Sequence, residues 1–476
     1  MADRFTLGET KVRPGVHFRQ ESGNELNLTG AENGIVAVAF KANWGPLGEV
    51  VTISNPADIA TLFGDDSGTG SNVAILRKIF QGGASQIKAV RVGSGGTKAA
   101  ITLKDTTSGT AVDAVTLTAK YAGTRALSVT IKDSLSNANE RECIIYAGTT
   151  ELFRTAFAKG SAGEVDALVA ALNGNSESVV TATKLTGTTT GLLAAVTQAT
   201  FTTAGVSPTI TSTDYDAAFA LLEATNWNTI CIDSNDTTIQ ALLKTFINRA
   251  NDAGLMGIAV IGEPSSVAYA TRKSDAAACN SENVVYCLNG FKVGEDAYEG
   301  FDAAAVIAGL IAYVPSNQSL THVVINGASE IIDPLTAAKV VECLKSGALV
   351  FTEASSGAIW IEQGINTLVV LGSKDAGWKK IRRTKTRFEL MTRINQNVEP
   401  IIGAVDNDSN GRATVIAIAN GVIGQMVAEH KLTRGSCYED PNNPARGDSA
   451  WFVIDVYDLD SIEHVYLTYR FHFAET

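Results

Sequence analysis

The chain is poor in charge and poorer still in positive charge. Only 18% of its 476 residues are charged, and acids outnumber bases 50 to 38, for a net charge of −12. Nucleic-acid binding needs a basic face, so this balance argues against it for the chain as a whole. Cysteine is scarce too. Cys143, Cys231, Cys279, Cys287, Cys343 and Cys437 form no C-x-x-C pair, and Cys231 sits in the apolar run Thr229-Ile230-Cys231-Ile232. That spacing provides neither a zinc knuckle nor a redox motif, and it predicts reduced, mostly buried thiols. No run reaches the ~18 apolar residues of a membrane span. Met1-Ala2-Asp3-Arg4 has no apolar stretch of the signal-peptide kind. The expectation is a product made in the cytoplasm, with no membrane, no metal and no cofactor.

Hydrophobic content is an ordinary 45%, and a chain this long predicts about three domains. Lys11 to Arg19 alternates apolar and polar residues around Pro14, which suits an edge strand or an arm. Gly34 to Phe40 is nearly all apolar and reads as a buried strand, closed by turn chemistry at Asn43-Trp44-Gly45-Pro46. A helix is predicted over 72–80 and a strand over 87–92. Gly93-Ser94-Gly95-Gly96 then reads as a hinge. Residues 97–205 hold 22 threonines in short β-branched runs between turns, which predicts an inserted β-rich domain.

From about residue 206 helices and buried strands alternate. Helices are predicted at 214–224, 237–250 and 302–313, with strands at 229–232, 257–261, 284–288 and 348–352, as in a layered α/β structure. Residues 366–476 follow with a basic helix, a second helix over 412–431 and a closing strand over 461–473. In that strand Val465, Leu467, Tyr469, Phe471 and Phe473 share one face. A long strand at a chain end is an edge that needs a partner.

Signs of catalysis are weak. Gly64-Asp65-Asp66-Ser67-Gly68 resembles a serine-protease motif, but Ser67 needs a histidine base oriented by a carboxylate. The five histidines, His17, His322, His430, His464 and His472, have no such context. Asp406 to Gly411 begins like a calcium loop, yet the Glu required at position 12 is Ala417; an Asx-rich turn before a helix is the better reading. Gly93 to Lys98 misses the phosphate-loop pattern, and Arg446-Gly447-Asp448 is too short to weigh. The one concentrated feature is cationic. Lys374, Lys379, Lys380, Arg382, Arg383, Lys385, Arg387 and Arg393 face only Asp375 and Glu389 in sequence, which predicts a designated acidic partner.

Several stretches, in order along the whole chain, resemble the tail sheath family of contractile phages and phage-derived particles of Gram-positive hosts. They are Arg13-Pro14-Gly15-Val16, Ala42 to Gly48, Tyr121 to Arg125, Asn317-Gln318-Ser319-Leu320-Thr321, Gly347 to Val350 and Ile361 to Thr367. Trp378-Lys379-Lys380-Ile381-Arg382-Arg383, Leu390 to Arg393 and Ile462 to Thr468 complete the set. Where the family often has Gly-Asn after Tyr-x-Gly-Thr-Arg, this chain has Ala126-Leu127.

The resemblance implies a multidomain α/β protein with a subtilisin-like α/β core lacking a catalytic triad, an inserted β-sandwich, and an α+β C-terminal domain with extended terminal arms. The divisions expected are an arm at 1–22, core at 23–96 and 206–365, insert at 97–205 and C-terminal domain at 366–476. It further implies a structural, non-enzymatic subunit that stacks as six-membered rings around a tail tube, extended and metastable, and contracts to drive the tube through the host envelope. Implied partners are copies of itself, the tube protein, and baseplate and tail terminator proteins, with no direct nucleic acid, all within a virion assembled in the host cytoplasm. The tube would meet Lys379, Lys380, Arg382, Arg383, Lys385 and Arg387. Val12, Pro14, Val16 and Phe18, and Val465, Leu467, Tyr469 and Phe471, would be intersubunit strands. The alternatives are the sheath of a secretion-system or bacteriocin-like particle and, further off, a subtilisin-like hydrolase.

Overall fold

A computed structural model of the chain describes residues 3–4, 17–18, 33–64, 70–106, 111–160, 163–186 and 192–472. Val12, Pro14, Val16, Ser67 and Phe473 lie outside the described residues. Phe18 is described by its backbone alone, in the pair His17–Phe18 running parallel to Asp3–Arg4. The chain divides into two compact units, Glu32–Glu389 with Asp460–Thr476, and Leu390–Leu459 with Met1–Ala31.

A seven-stranded sheet organises the larger unit. Its order is Ala348–Leu349, Val284–Cys287, Ile258–Gly262, Thr229–Ile232, Ile35–Phe40, Gln86–Arg91, Val50–Ile53, parallel except for the last strand. Parallel pairing needs crossover connections, and these put helices on both faces, so Ile35–Phe40, Thr229–Ile232, Ile258–Gly262 and Val284–Cys287 are buried along their whole length. In Ile35–Phe40, Val36, Val38 and Phe40 join one core with Ile75, Leu76 and Ile79 of helix Ala74–Gln81 and with the all-buried stretch Ala303–Ala308. Ile35, Ala37 and Ala39 join the other, with Tyr215, Phe219 and Leu222 of helix Ser212–Glu223 and Leu243 and Phe246 of helix Thr237–Asp252. Gly82 and Gly309 let two backbones meet: a Cβ on Gly309 would lie 2.2 Å from the Ile79 carbonyl oxygen.

The insert is a sandwich of two antiparallel sheets. One runs Thr150–Ala158, Glu140–Ala147, Ser128–Asp133, Val196–Thr200; the other Val180–Lys184, Asp113–Ala119, Ala100–Lys104. Val115, Leu117, Val129, Ile131 and Ile145 fill the space between. An unexpected helix, Glu164–Asn173, adds Val165, Leu168 and Leu172 to this core. Its i, i+3, i+7 apolar spacing is present in the sequence but is outweighed by the Thr-rich surroundings. The hinge reading of 93–96 is corrected. The two connecting segments form a ribbon bridged at Ser94–Thr209, Thr97–Val206 and Ala100–Thr203. A Cβ on Gly96 would meet the Val206 carbonyl oxygen at 2.7 Å, so these glycines permit close packing.

In the smaller unit, Leu390 and Ile394 pack with Val422, Ile423 and Met426 of helix Ser409–Ala428 and with Leu432 and Cys437 of the hairpin Leu432–Glu439/Phe452–Asp458. That helix corrects one expectation, since it is long and apolar enough to cross a membrane; here Ile418, Ala419, Val422, Ile423 and Met426 are its buried apolar face. Asp408 caps it, accepting the Gly411 N–H at 2.8 Å, which is the use found for the Asx-rich turn.

Candidate assembly site at the root of the C-terminal segment

Residues 459–472 form no strand within the chain, although alternation predicts one over 461–473. Val465 is 68% exposed, Leu467 68%, Tyr469 73% and Phe471 86% on the face expected to be apolar, while Tyr466 opposite is 91% exposed. Tyr469 and Phe471 stack with ring centroids 6.4 Å apart. Exposed apolar stretches of this kind are a common mark of interaction surfaces in proteins generally.

The root of the segment is held tightly. The Glu463 carboxylate, with only 4% of its side chain exposed, accepts from Thr321 Oγ1 at 3.0 Å, Ser319 Oγ at 3.2 Å and Gln363 Nε2 at 2.9 Å, and lies 3.3 Å from Lys380 Nζ. Lys380 also pairs with Asp460 at 2.6 Å, and Arg382 Nη1 donates to Ser461 Oγ at 2.7 Å. An open groove of about 450 Å³ between 317–322 and 461–463 marks the place. Backbone hydrogen bonds fix its walls: Ile381 N donates to the Gly364 oxygen, Asn366 N to that of Lys379 and His322 N to that of Ile361. Four of the sequence stretches that resemble the sheath family, at 317–321, 361–367, 378–383 and 462–468, thus converge on one carboxylate.

The cationic helix is therefore not the solvent-facing surface that its composition suggests. None of Lys379, Lys380, Arg382, Arg383, Lys385 and Arg387 is exposed. Arg383 pairs with Asp375 at 2.8 Å. The guanidinium of Arg387 covers the Trp378 ring at 3.8 Å and lies 3.7 Å from Glu282. Lys385 Nζ donates to the carbonyls of Ile311 and Val314, where the end of helix Phe301–Tyr313 concentrates negative potential. Lys379 is half-buried, and desolvation lowers its pKa. Three of the acids that face these cations, Glu282, Asp460 and Glu463, are remote in sequence.

A second convergence involves the stretches at 42–48 and 121–125. Buried Arg91 donates to three carbonyls, from Nε to Ala42 at 2.9 Å, Nη1 to Gly45 at 2.7 Å and Nη2 to Ala122 at 2.9 Å. Burial pulls its pKa down to about 10. Trp44 meets Tyr121 edge-on at 5.3 Å, with the Arg125 guanidinium 5.4 Å over the indole. Gly123, at φ +153°, comes so near that a Cβ would sit 1.8 Å from the Asn43 oxygen.

Strand order reverses at Ile35–Phe40, where an α/β sheet opens a crevice at its carboxyl end. Asp233 is buried there and accepts from Tyr215 Oη at 2.5 Å, Lys41 N at 2.8 Å and Asn72 Nδ2 at 2.8 Å; burial raises its carboxyl pKa. The crevice, about 620 Å³, is lined by residues including Lys41, Thr211, Ser212, Ser234 and Asp236. No histidine is among its described lining residues.

Residues 209–367 match the phage tail sheath protein central domain, and residues 33–92 match the tail sheath protein Gp18 domain III N-terminal region. Two stretches of the chain are thus similar to domains of phage tail sheath proteins. Among its relatives is the phage-like element PBSX protein XkdK of Bacillus subtilis, 24% identical over 440 residues, covering 90% of this chain and 88% of that one. The fold is similar to that of the sheath tail protein of Desulfitobacterium hafniense, with a TM-score of 0.66 at 20% identity, over 94% of this chain and 100% of that one. It is also similar to the sheath of an extracellular contractile injection system, PVC, in its contracted state, with a TM-score of 0.56 at 9% identity, over 97% and 98% of the two chains. Bacillus and Desulfitobacterium agree with a Gram-positive host.

Proposed function

We propose that copies of this chain stack as six-membered rings around a tail tube, in an extended state that shortens in concert to drive the tube through a cell envelope. The observation that carries this reading is the bare apolar segment 464–472 on a firmly anchored root. The acceptor for it is the two-stranded sheet Leu432–Glu439/Phe452–Asp458 of another copy, each of whose strands has an edge unpaired among the described residues. Strand addition joins the subunits through main-chain hydrogen bonds, and several bonds of ~1 kcal/mol net keep the link through a change of packing. A head-to-tail contact of this kind builds a helical array. The N-terminal stretch with Val12, Pro14, Val16 and Phe18 supplies a second linking strand. The work is done by two packings of rigid units, with no chemical step, so the chain is not an enzyme. Tube, baseplate and terminator proteins are the partners, and a virion or tail-like particle is the setting.

Removing residues 464–476 tests the reading. The truncated protein should keep its circular dichroism spectrum and form no tubes by negative-stain microscopy under conditions where the full chain does. Tubes from the truncated protein would refute it.

A further inference from the structure

We propose that Glu463 is the pin of the C-terminal arm, a positioning residue that sets where the arm leaves the body and so which neighbour it can reach. The inference rests on the reading of 464–472 as an intersubunit strand. Four side chains from three separate stretches meet this carboxylate: Ser319 and Thr321, Gln363, and Lys380. It is withdrawn from water while both its neighbours are exposed, Ile462 at 86% and His464 likewise. The attachment through Asp460 is wetter. Asp460, paired with Lys380, has 36% of its side chain exposed, so salt screens that pair more than it screens Glu463.

The pin therefore divides the segment into a held root, 460–463, and a bare arm beginning at His464. Extended chain spans at most ~3.3–3.6 Å per residue, so the arm as far as His472 reaches about 30 Å from a closed pin and about 40 Å from Asp460 if the pin is lost. A longer, unaimed arm samples more positions around the body, and each copy finds its acceptor edge less often. Thr321 is itself fixed, since its hydroxyl oxygen accepts the Gly364 N–H at 3.1 Å. The socket is thus preformed on backbone that belongs to the body.

The experiment compares full-length Glu463→Ala and Glu463→Gln with wild type and with the chain lacking 464–476. Melting by circular dichroism should be unchanged in both variants, and amide exchange over 460–463 in the unassembled protein should quicken. The protein concentration needed for tubes should rise at least tenfold for Glu463→Ala, since hydrogen bonds to a charged group are lost, and by less for Glu463→Gln, which keeps an acceptor oxygen. If truncation abolishes tubes while both variants assemble at the wild-type concentration, the pin is refuted and strand linking stands. If the truncated chain itself forms tubes, the strand reading fails first. Should Glu463→Ala not fold, Glu463→Gln with wild-type exchange over 460–463 would still overturn the proposal.

Discussion

Arg91→Met removes one guanidinium and with it the donors to three carbonyls in two stretches of chain. The oxygens of Ala42 and Gly45 belong to buried residues, whereas Ala122 is only partly covered and its carbonyl can turn to water. A buried acceptor stripped of its donor costs about 1–3 kcal/mol, so the two together give roughly 2–6 kcal/mol. Part of this is offset because the variant no longer buries a charge, a cost visible in the lowered pKa of Arg91. A net loss of about 3 kcal/mol remains, which is about 150-fold in the local opening equilibrium. Met fills much of the same space, so the effect is polar and not a cavity. Amide exchange by mass spectrometry over 40–48 and 119–125 is the direct assay, since it reads local opening where a whole-chain melt of two units would not. Those amides should exchange about a hundredfold faster, and Arg91→Lys should fall between, because an ammonium on a flexible stem cannot serve three diverging carbonyls. Exchange within threefold of wild type in Arg91→Met would refute the account of Arg91 as the tie between these stretches.

Gly123→Ala should destabilise the larger unit by about 3 kcal/mol or more in urea unfolding, because the new Cβ must displace a backbone oxygen from 1.8 Å at a strained φ; Gly160→Ala, with nothing within 4 Å of its Cβ, is the neutral control. Glu429 provides a pH dependence in the smaller unit. Burial opposes ionisation of its carboxylate, but hydrogen bonds from Arg393 and Lys431 prevail and hold its pKa below the usual 4.5. A carboxyl with a depressed folded pKa contributes stability that is present above the unfolded pKa and lost as pH falls through the folded one. Melting of the smaller unit should therefore weaken below about pH 4.5, and Glu429→Gln should flatten that slope.

Elements covered on both sides were the easiest to read from sequence. Gly34 to Phe40 and Thr229 to Ile232 are apolar throughout because helices press on both faces, and their strands lie where the runs do. Ends were harder to read: 348–352 splits into Ala348–Leu349 and Phe351–Glu353, the latter pairing with Ile359–Ile361. Charge was the hardest. The cations at 379–387 look unbalanced in a local window, whereas their carboxylates and carbonyls come from 282, 311, 314, 460 and 463. The resemblance to the family identified the motifs at 317–321 and 361–367 without indicating that they meet Glu463. Only the fold brings those residues together, and no spacing rule encodes a contact made across 140 positions.

Neutralising the basic cluster inside the chain has a consequence for how copies approach one another. With those cations engaged, the outer surface carries most of a net charge of −12, and identical subunits meet as like-charged colloids. Association through the proposed apolar arms would work against repulsion that added electrolyte weakens, since the Debye length falls from about 30 Å at 0.01 M to about 8 Å at 0.15 M. Polymerisation should be promoted by salt, the reverse of what a cationic docking face would give.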